Sequence, residues 1–326
     1  MNPPFARPTY RGEKKIPESK RAFFGFIADK RIREKLKKRY REVLKDITND
    51  LRNIAKGSIT YELKDLPSDI KEIITGGGDR KLKQYLNIGL AGEASPFFYL
   101  AYKYVNDDGV IAFVLPRAVL AGVSWFLHRI LLASKFHLKY VIVSSDPING
   151  YNFSEGSSLS ETLLIAKKTR EHKSSEETVF VILTKKPRSA LEGVLIADSI
   201  IDAKKKRIVQ CSHEGVEFIT KFVNRETLLR YIDNWGRFVA ISEPVLSDYM
   251  FRLLAEGSLI VGELNIKIPL ARLGDLLKTI NIKGKNVKSI GIDAHQFYDF
   301  YRKVSTSPYP ALIGTGEEFR KSMKIR

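Results

Sequence analysis

The sequence predicts an α/β protein in which a partial doubly wound sheet is followed by a smaller α+β domain. Three observations support this prediction. Residues 6–90 are rich in Lys and Arg and follow a helical pattern. Between residues 93 and 200, apolar runs of strand length alternate with helical patterns, which is typical of buried and largely parallel strands. From residue 226 onward, amphipathic helices give way to short β-like runs separated by polar turns.

The basic segment contains one long amphipathic helix. From Arg31 to Leu51, apolar residues recur at steps of three and four, which places them on one face and the charged residues on the other. The cations are candidates for contact with nucleic-acid phosphates, while a solvated helix face explains them equally well. They are Arg31, Arg33, Lys37, Lys38 and Arg39.

The alternating segment begins with a helix from Ser95 to Val105, which ends at a turn at Asp108-Gly109. The elements predicted after it are a strand over Val110 to Leu115, a helix over Ala118 to Ala133, and strands over Leu138 to Ser144, Leu159 to Lys167 and Thr178 to Leu183. Strand, helix and strand in this order predict a right-handed crossover within a largely parallel sheet.

Residues 201–225 are interpreted as a junction, because Ala203 to Arg207 is a run of charges typical of a solvated loop. Residues 226–326 are interpreted as the start of a second domain, with helices over Thr227 to Trp235 and Val245 to Glu256. Its weak candidates for phosphate contact are Lys283, Lys285 and Lys288. As single residues these lysines are typical of any surface, and only their clustering favours a contact with nucleic acid.

Composition restricts the classes of function. The 326 residues include 55 Lys and Arg against 37 Asp and Glu, a formal charge of +18, which favours a polyanionic partner such as nucleic acid. The single Cys211 excludes an internal disulfide, and five scattered His residues argue against a metal site. The longest apolar run, Ala118 to Ala133, is interrupted by polar and charged residues, which argues against a membrane span. The N-terminus lacks a signal-peptide pattern, so we expect a cytoplasmic protein.

The sharpest local motif is Asn2-Pro3-Pro4-Phe5. Two prolines fix the backbone and have no N–H to donate, so the turn is stiff and its carbonyls point outward. The Asn2 side-chain oxygen and a proline carbonyl can then accept both hydrogens of an exocyclic amine, which turns the nitrogen lone pair towards an electrophile. Phe5 offers a stacking face for the ring that carries the amine. The same letters at a terminus also occur as a stiff tail without further function.

Together with later blocks, this motif resembles the N6-adenine-specific DNA methyltransferases of restriction-modification systems. The likeness is strongest to the large, gamma-ordered enzymes with a fused target-recognition domain. It covers roughly residues 1–200, through the Asn2 to Phe5 motif, the block from Ser95 to Leu120 with its Pro-x-x-x-Leu switch, and the blocks 138–146, 151–168 and 178–187. Ile268 to Leu277 and Tyr309 to Leu312 are similar to blocks of target-recognition domains.

The resemblance implies a Rossmann-like catalytic sheet, S-adenosylmethionine as cofactor, and double-stranded DNA as the partner from which an adenine is flipped. It implies that Asn2 and Pro3 accept hydrogen bonds from the adenine amine and that Phe5 stacks on the ring. Phe153 is the candidate second stacking aromatic, with ordinary packing at the domain edge as an equal alternative.

The family's cofactor motif, an F-x-G-x-G turn ahead of the catalytic motif, is not found in the sequence. Ile313 to Gly316 has suitable letters but no room for a following helix and strand, and Gly76-Gly77-Gly78 follows no strand. We therefore expect a sheet that lacks its N-terminal cofactor half, in a chain cut just before its catalytic motif. A split enzyme completed by an upstream-encoded polypeptide, a misplaced start and a decayed gene all remain open.

Other functions remain open as well. A catalytically inactive DNA-binding accessory protein, derived from such an enzyme, is the main alternative. Methylation of another planar amine or amide is a further one, although the recognition-like C-terminal sequence argues against it. Asp50 and Glu62-Leu63-Lys64 have the loose spacing of a metal-dependent nuclease, but a solvated charge cluster explains them better.

Overall fold

The computed structural model describes residues 2–3, 27, 29–64, 66–75, 82–89, 91–154, 159–213, 215–240, 243, 245–246 and 249–250, together with four short strands between residues 258 and 287. The chain divides into two compact units, Met1–Phe251 and Arg252–Arg326.

The first unit begins with helices. Helix α1 spans Lys30–Ser58, and the side chain of Asp29 caps it by accepting hydrogen bonds from the amides of Arg31 and Ile32. The predicted helix over Arg31 to Leu51 is therefore present and seven residues longer at its C-terminal end. Helix α2 spans Ser68–Thr75, a 3₁₀ helix spans Leu82–Leu86, and α3 spans Ala94–Tyr104.

A six-stranded mixed sheet forms the centre of this unit. Its strands are β1 Val110–Pro116, β2 Phe136–Ser144, β3 Glu161–Lys168, β4 Glu177–Leu183, β5 Gln210–His213 and β6 Val216–Asn224. Their order across the sheet is β1-β3-β2-β4-β6-β5. The strands predicted from apolar runs are confirmed, each within two residues of its expected start and end.

The expected, largely parallel arrangement is wrong. Among the described strands only β2 and β4 pair in parallel, while β3 pairs antiparallel with both β1 and β2, and β6 pairs antiparallel with β4 and β5. The reason lies in the connections. No helix is found among the described residues between β2 and β3, and Gly215 lies in the short connection from β5 to β6. Gly215 has a φ of +82°, a conformation that favours glycine.

The predicted helix over Ala118 to Ala133 is broken. It consists of α4 Ala118–Ala121, a 3₁₀ turn Val123–Trp125 and α5 Phe126–Lys135. Gly122 lies at the break in an extended conformation, and a Cβ added to it would be 2.7 Å from the carbonyl oxygen of Ala118. This close approach of backbone to backbone explains why glycine occupies the position.

The segment interpreted as a junction is part of the sheet domain. The charges from Ala203 to Arg207 end helix α6, Ala190–Lys206, and do not form a loop. Ile196, Ile200 and Ala203 form the buried face of that helix. Lys205 and Lys206 lie on its exposed face, so the helix continues through the charged run. Residues 210–224 then form β5 and β6. The first unit extends to Phe251, beyond the boundary expected near residue 225.

Helices cover both faces of the sheet. Along β4, alternate residues belong to two separate cores: Phe180 and Ile182 pack with residues of α1 and α5, while Val179 and Val181 pack with Ile196 and Ile200 of α6. Short helix α7, Arg225–Arg230, and a 3₁₀ helix over Trp235–Val239 complete the first core.

In the second unit the structure describes two strand pairs. Strand β7, Ser258–Val261, pairs antiparallel with β8, Ile266–Pro269, and β9, Ile280–Ile282, pairs antiparallel with β10, Lys285–Val287. Lys285 thus begins β10, whereas Lys283 and Lys288 lie outside the described residues. Most of the recognition-like sequence lies outside them as well. No helix within the described ranges is long and apolar enough to cross a bilayer.

Candidate functional site

The predicted N-terminal motif contacts the loop that contains Phe153. The side-chain nitrogen Nδ2 of Asn2 donates a hydrogen bond of 2.9 Å to Oγ of Ser154, a residue 152 positions away in the chain. Asn2 is exposed and Pro3 is buried, while Pro4 and Phe5 lie outside the described residues. The two segments that the sequence assigned to one site are therefore in contact.

A buried carboxylate fixes the start of this loop, directly after β2. Asp146 Oδ1 accepts from the amides of Ile148 and Asn149, and Oδ2 accepts from Asn149 Nδ2 and from the amide of Lys186. Burial disfavours the charged form, but these hydrogen bonds outweigh it and hold the pKa of Asp146 well below its usual range. The sequence analysis missed this residue, although Asp146-Pro147 followed by Asn149-Gly150 is typical of an Asx turn.

A second buried carboxylate fixes the end of the loop. Glu161, the first residue of β3, is fully buried, and its Oε2 accepts hydrogen bonds of 2.7 Å from the amides of both Phe153 and Ser154. Its other oxygen, Oε1, has no hydrogen-bond partner among the described residues. The backbone that positions Phe153 and the partner of Asn2 is thus held by one acidic side chain. The sequence analysis missed Glu161, because the only indication was an acidic residue at the start of an apolar run.

Two further hydrogen bonds hold the same loop, one to the chain after β4 and one within the loop itself. Lys186 Nζ donates to the carbonyl of Asn152 at 2.8 Å, and Asn152 Nδ2 donates to the carbonyl of Ser154 at 2.7 Å. The loop therefore has a defined conformation between residues 146 and 154.

The ring of Phe153 is half-buried and packs against the core beneath α6, together with Tyr140, Leu163 and Phe222. This contact corresponds to the packing alternative. The backbone of Phe153, in contrast, is adjacent to Ser154, which contacts Asn2. A role of the Phe153 ring in stacking on a base stays a prediction.

A cavity of about 490 Å³ opens at the end of β1, beside the residue Leu159 that precedes β3. Its wall includes Asn87, Pro116, Ser124, Trp125 and Leu159. The volume is within the range of small-molecule sites. The amide of Arg117 donates to the carbonyl of Ser160, which joins the two connections that border the cavity.

A buried arginine holds the broken helix that forms one wall of this cavity. Arg129 is fully buried and donates to the carbonyls of Val119, Gly122, Ile232 and Asp233, at distances between 2.8 and 3.0 Å. Burial lowers the pKa of its guanidinium to about 10, so it is charged at neutral pH. Its guanidinium therefore joins Val119 and Gly122, at the break in the helix, to Ile232 and Asp233 in the segment after α7.

The predicted basic face of α1 is partly neutralised. Arg31 and Lys38 are exposed, as expected for phosphate contact, but Arg33 is buried. Lys37 pairs with Glu34 at 3.0 Å and Arg39 with Glu42 at 3.4 Å. A contact between this helix and DNA stays a prediction.

The nuclease alternative finds no geometric basis within the described residues. Asp50 accepts a hydrogen bond from Tyr99 and pairs with Lys103, whereas Glu62 pairs with Lys135 at 2.6 Å. The part of the chain that the structure describes contains no group of three or more His, Cys, Asp or Glu residues that could hold a metal ion.

The described residues do not fit an S-adenosylmethionine site of the glycine-rich type. Strand β1 is followed by Arg117, β2 by Ser145-Asp146, and β4 by Thr184-Lys185-Lys186. Within the described sheet, none of these strand ends offers the bare backbone that such a cofactor needs for close approach.

No known protein family matches the chain, and no match is found among curated proteins. Solved structures similar to it include the type IIG restriction endonuclease BpuSI, with a TM-score of 0.29 and 16% identity over 50% of this chain. Another is the methyltransferase subunit of a type I restriction-modification system from Streptococcus thermophilus, with a TM-score of 0.31 and 20% identity over 43% of this chain. This chain spans 18% and 28% of those two proteins, respectively. At these scores the likeness assigns neither fold nor activity.

Proposed function

We propose that this chain is the base-binding part of an S-adenosylmethionine-dependent, site-specific DNA adenine-N6 methyltransferase of a restriction-modification system. The observation that carries this proposal is the hydrogen bond between Asn2 and Ser154. It joins the Asn-Pro-Pro-Phe motif to the Phe153 loop, two blocks that the resemblance assigns to one base site.

The same contact supports the orientation that we propose for Asn2. Because Nδ2 donates to Ser154, the amide oxygen Oδ1 is left to accept a hydrogen from the adenine amine. The carbonyl of Pro3 accepts the second hydrogen in this proposal. The nitrogen lone pair then points away from both acceptors and towards the methyl donor, which raises the reactivity of a weak nucleophile.

The proposal assigns Glu161 and Asp146 to the positioning of the site. Glu161 fixes the amides of Phe153 and Ser154, and Asp146 fixes the start of the same loop. A base flipped from duplex DNA can stack on an aromatic ring only if the backbone that carries the ring is held in place.

S-adenosylmethionine supplies the methyl group in this type of reaction. Because the described strand ends do not fit it, we assign none of the described residues to its binding. A second polypeptide that holds the cofactor is one of the alternatives left open by the sequence, and the test below includes it.

The second candidate is a catalytically inactive DNA-binding accessory protein. This candidate is compatible with strand ends that do not fit S-adenosylmethionine, because a DNA-binding protein without catalysis needs no methyl donor.

The test is transfer of a labelled methyl group from S-adenosylmethionine to duplex DNA, by the purified chain alone and with any co-purifying polypeptide. We expect Asn2→Ala to abolish transfer, while Asn53→Ala, on an exposed position of α1, retains it. Transfer that is equal in the two variants overturns the role of Asn2. Binding of DNA without transfer under every condition favours the accessory protein.

A further inference from the structure

Most surface cations of the first unit that have an ion pair find it within their own helix or at a neighbouring strand end. Lys205 and Lys206 pair with Asp202 in the last turn of α6, and Arg207 pairs with Glu177 at the start of β4. Such pairs reduce the net field that a polyanion would experience at that end of the sheet.

The opposite end of the sheet differs. Arg117 follows β1, and Lys185, Lys186 and Arg188 follow β4. We call these four residues the strand-end cluster. None of the four has an ion pair in the described structure: Arg117 donates to the carbonyl of Val239 at 2.7 Å, and Lys186 Nζ donates to that of Asn152.

The described carboxylates near the cluster form no ion pair with its side chains. Asp146 and Glu161 are buried, and their bound oxygens accept from backbone amides and from Asn149. Glu192 accepts the backbone amide of Arg188 at 2.6 Å, not its guanidinium. Among the described residues no carboxylate thus forms an ion pair with the cluster, and its positive charge is available to an anionic partner from solution.

The cluster is fixed beside the candidate base site. The amide of Ser145 donates to the carbonyl of Leu183, the amide of Lys186 donates to Asp146, and Lys186 Nζ donates to Asn152. These bonds join residues 183–186 to the loop that leads to Phe153 and Ser154. A strand whose base enters beside Asn2 would therefore pass close to the cluster.

We propose that the strand-end cluster, with Lys185 and Arg188 at its centre, binds the phosphodiester backbone of duplex DNA next to the base site. The inference rests on the proposed function, since it takes DNA as the substrate. It adds a phosphate-contacting surface distinct from the basic face of α1. Backbone contacts of this kind fix the register of a protein on the duplex and do not read its sequence.

The test is the salt dependence of binding to a fluorescent duplex, measured by anisotropy on the whole chain. The variant is Lys185→Gln with Arg188→Gln, and the matched control is Lys205→Gln with Lys206→Gln, which removes equal charge at the other end of α6. We expect the cluster variant to lower the slope of log K against log salt by about 2 and to weaken binding at least about ten-fold at 0.1 M salt. We expect the control to keep the wild-type slope. A melting temperature equal to that of the wild type verifies that both variants fold, and the two single variants serve if the double variant does not.

The outcomes separate this inference from the proposed function. Equal slopes for the cluster variant and the control, with the wild type binding DNA, overturn the inference and leave the proposed function intact. Absence of DNA binding by the wild type at every salt concentration overturns both. Loss of methyl transfer in Asn2→Ala with an unchanged slope supports the separate assignment of chemistry to Asn2 and phosphate binding to the cluster.

Discussion

The carboxylate of Glu161 lies 2.7 Å from the backbone nitrogen of Phe153 and accepts its hydrogen bond. The same oxygen accepts from Ser154, so one buried charge holds two consecutive amides of the loop. Loss of this side chain leaves both donors buried without an acceptor, which is costlier than loss of a surface interaction.

Replacement of Glu161 therefore tests whether the loop depends on it. We expect Glu161→Ala to lower the free energy of unfolding by on the order of 3 kcal/mol, because hydrogen bonds to a charged group are lost. Urea denaturation is the measurement. The control Glu226→Ala removes an exposed carboxylate paired only with Arg230, and we expect it to cost less than about 1 kcal/mol. Equal losses in the two variants contradict the role of Glu161.

Removal of the hydroxyl that Asn2 contacts tests the base site without changing Asn2. In Ser154→Ala, Nδ2 of Asn2 loses its acceptor and the amide can rotate. We expect kcat for methyl transfer to fall about ten-fold, which corresponds to about 1.4 kcal/mol of lost orientation, with DNA affinity unchanged. The control is Ser174→Ala, in an exposed turn. A fall in DNA affinity without a change in kcat would argue against an orienting role.

Arg129 is predicted to be essential for the helix break beside the cavity. We expect Arg129→Met to lower the free energy of unfolding by at least about 3 kcal/mol, because four hydrogen bonds from a buried, charged guanidinium are lost. Arg230→Met, which removes an exposed pair with Glu226, is the matched control and should cost less than about 1 kcal/mol. The measurement is thermal and urea unfolding of both variants. Wild-type stability in Arg129→Met would show that the break forms without it.

The burial of Glu93 leads us to expect that the stability of the protein depends on pH. Burial raises the pKa of its carboxyl to about 7, above the unfolded value of about 4.3. The folded state therefore binds this proton more tightly, so the stabilisation is complete below about pH 4 and is lost as the pH rises through 7. We expect Glu93→Gln, which stays neutral, to gain stability relative to the wild type between pH 5 and about 8.

Melting temperatures of the two proteins across that range provide the measurement, with Glu72→Gln, at an exposed position, as the control. Burial lowers the pKa of His128 to about 3, which affects stability in the opposite sense. His128 is present in every variant, so the difference from the wild type reports Glu93 alone. A constant difference across the range would contradict the prediction.

The positions of the main strands were predictable, but their directions were not. The apolar run at β4 identifies a strand that is buried on both faces, whereas the first half of β1 alternates between exposed and buried residues. A run of apolar residues contains no information on which strand lies beside it, and the antiparallel insertion of β3 depends on how residues 145–160 fold back. The prediction of a loop from Ala203 to Arg207 was wrong, because a run of charges indicates exposure to solvent and does not indicate the end of a helix.

The site was predictable only in part. Sequence motifs identified Asn2 and Phe153 as candidates. The structure brings their segments together through Ser154, while their roles stay predictions. Asp146 and Glu161 were missed because an acid beside a loop is usually a surface charge. Their burial follows from hydrogen bonds to backbone amides, which exist only once the loop has formed.

The position of β3 between β1 and β2 has a consequence for synthesis on the ribosome. Strand β1 emerges first, but its neighbour β3 emerges only after α5 and β2 have been made. We therefore expect β1 and β2 to join in one sheet only after β3 has been made, so that residues 110–168 fold together. A translational pause or a proteolytic cut between β2 and β3 would leave two apolar strands with unpaired edges, which favours aggregation.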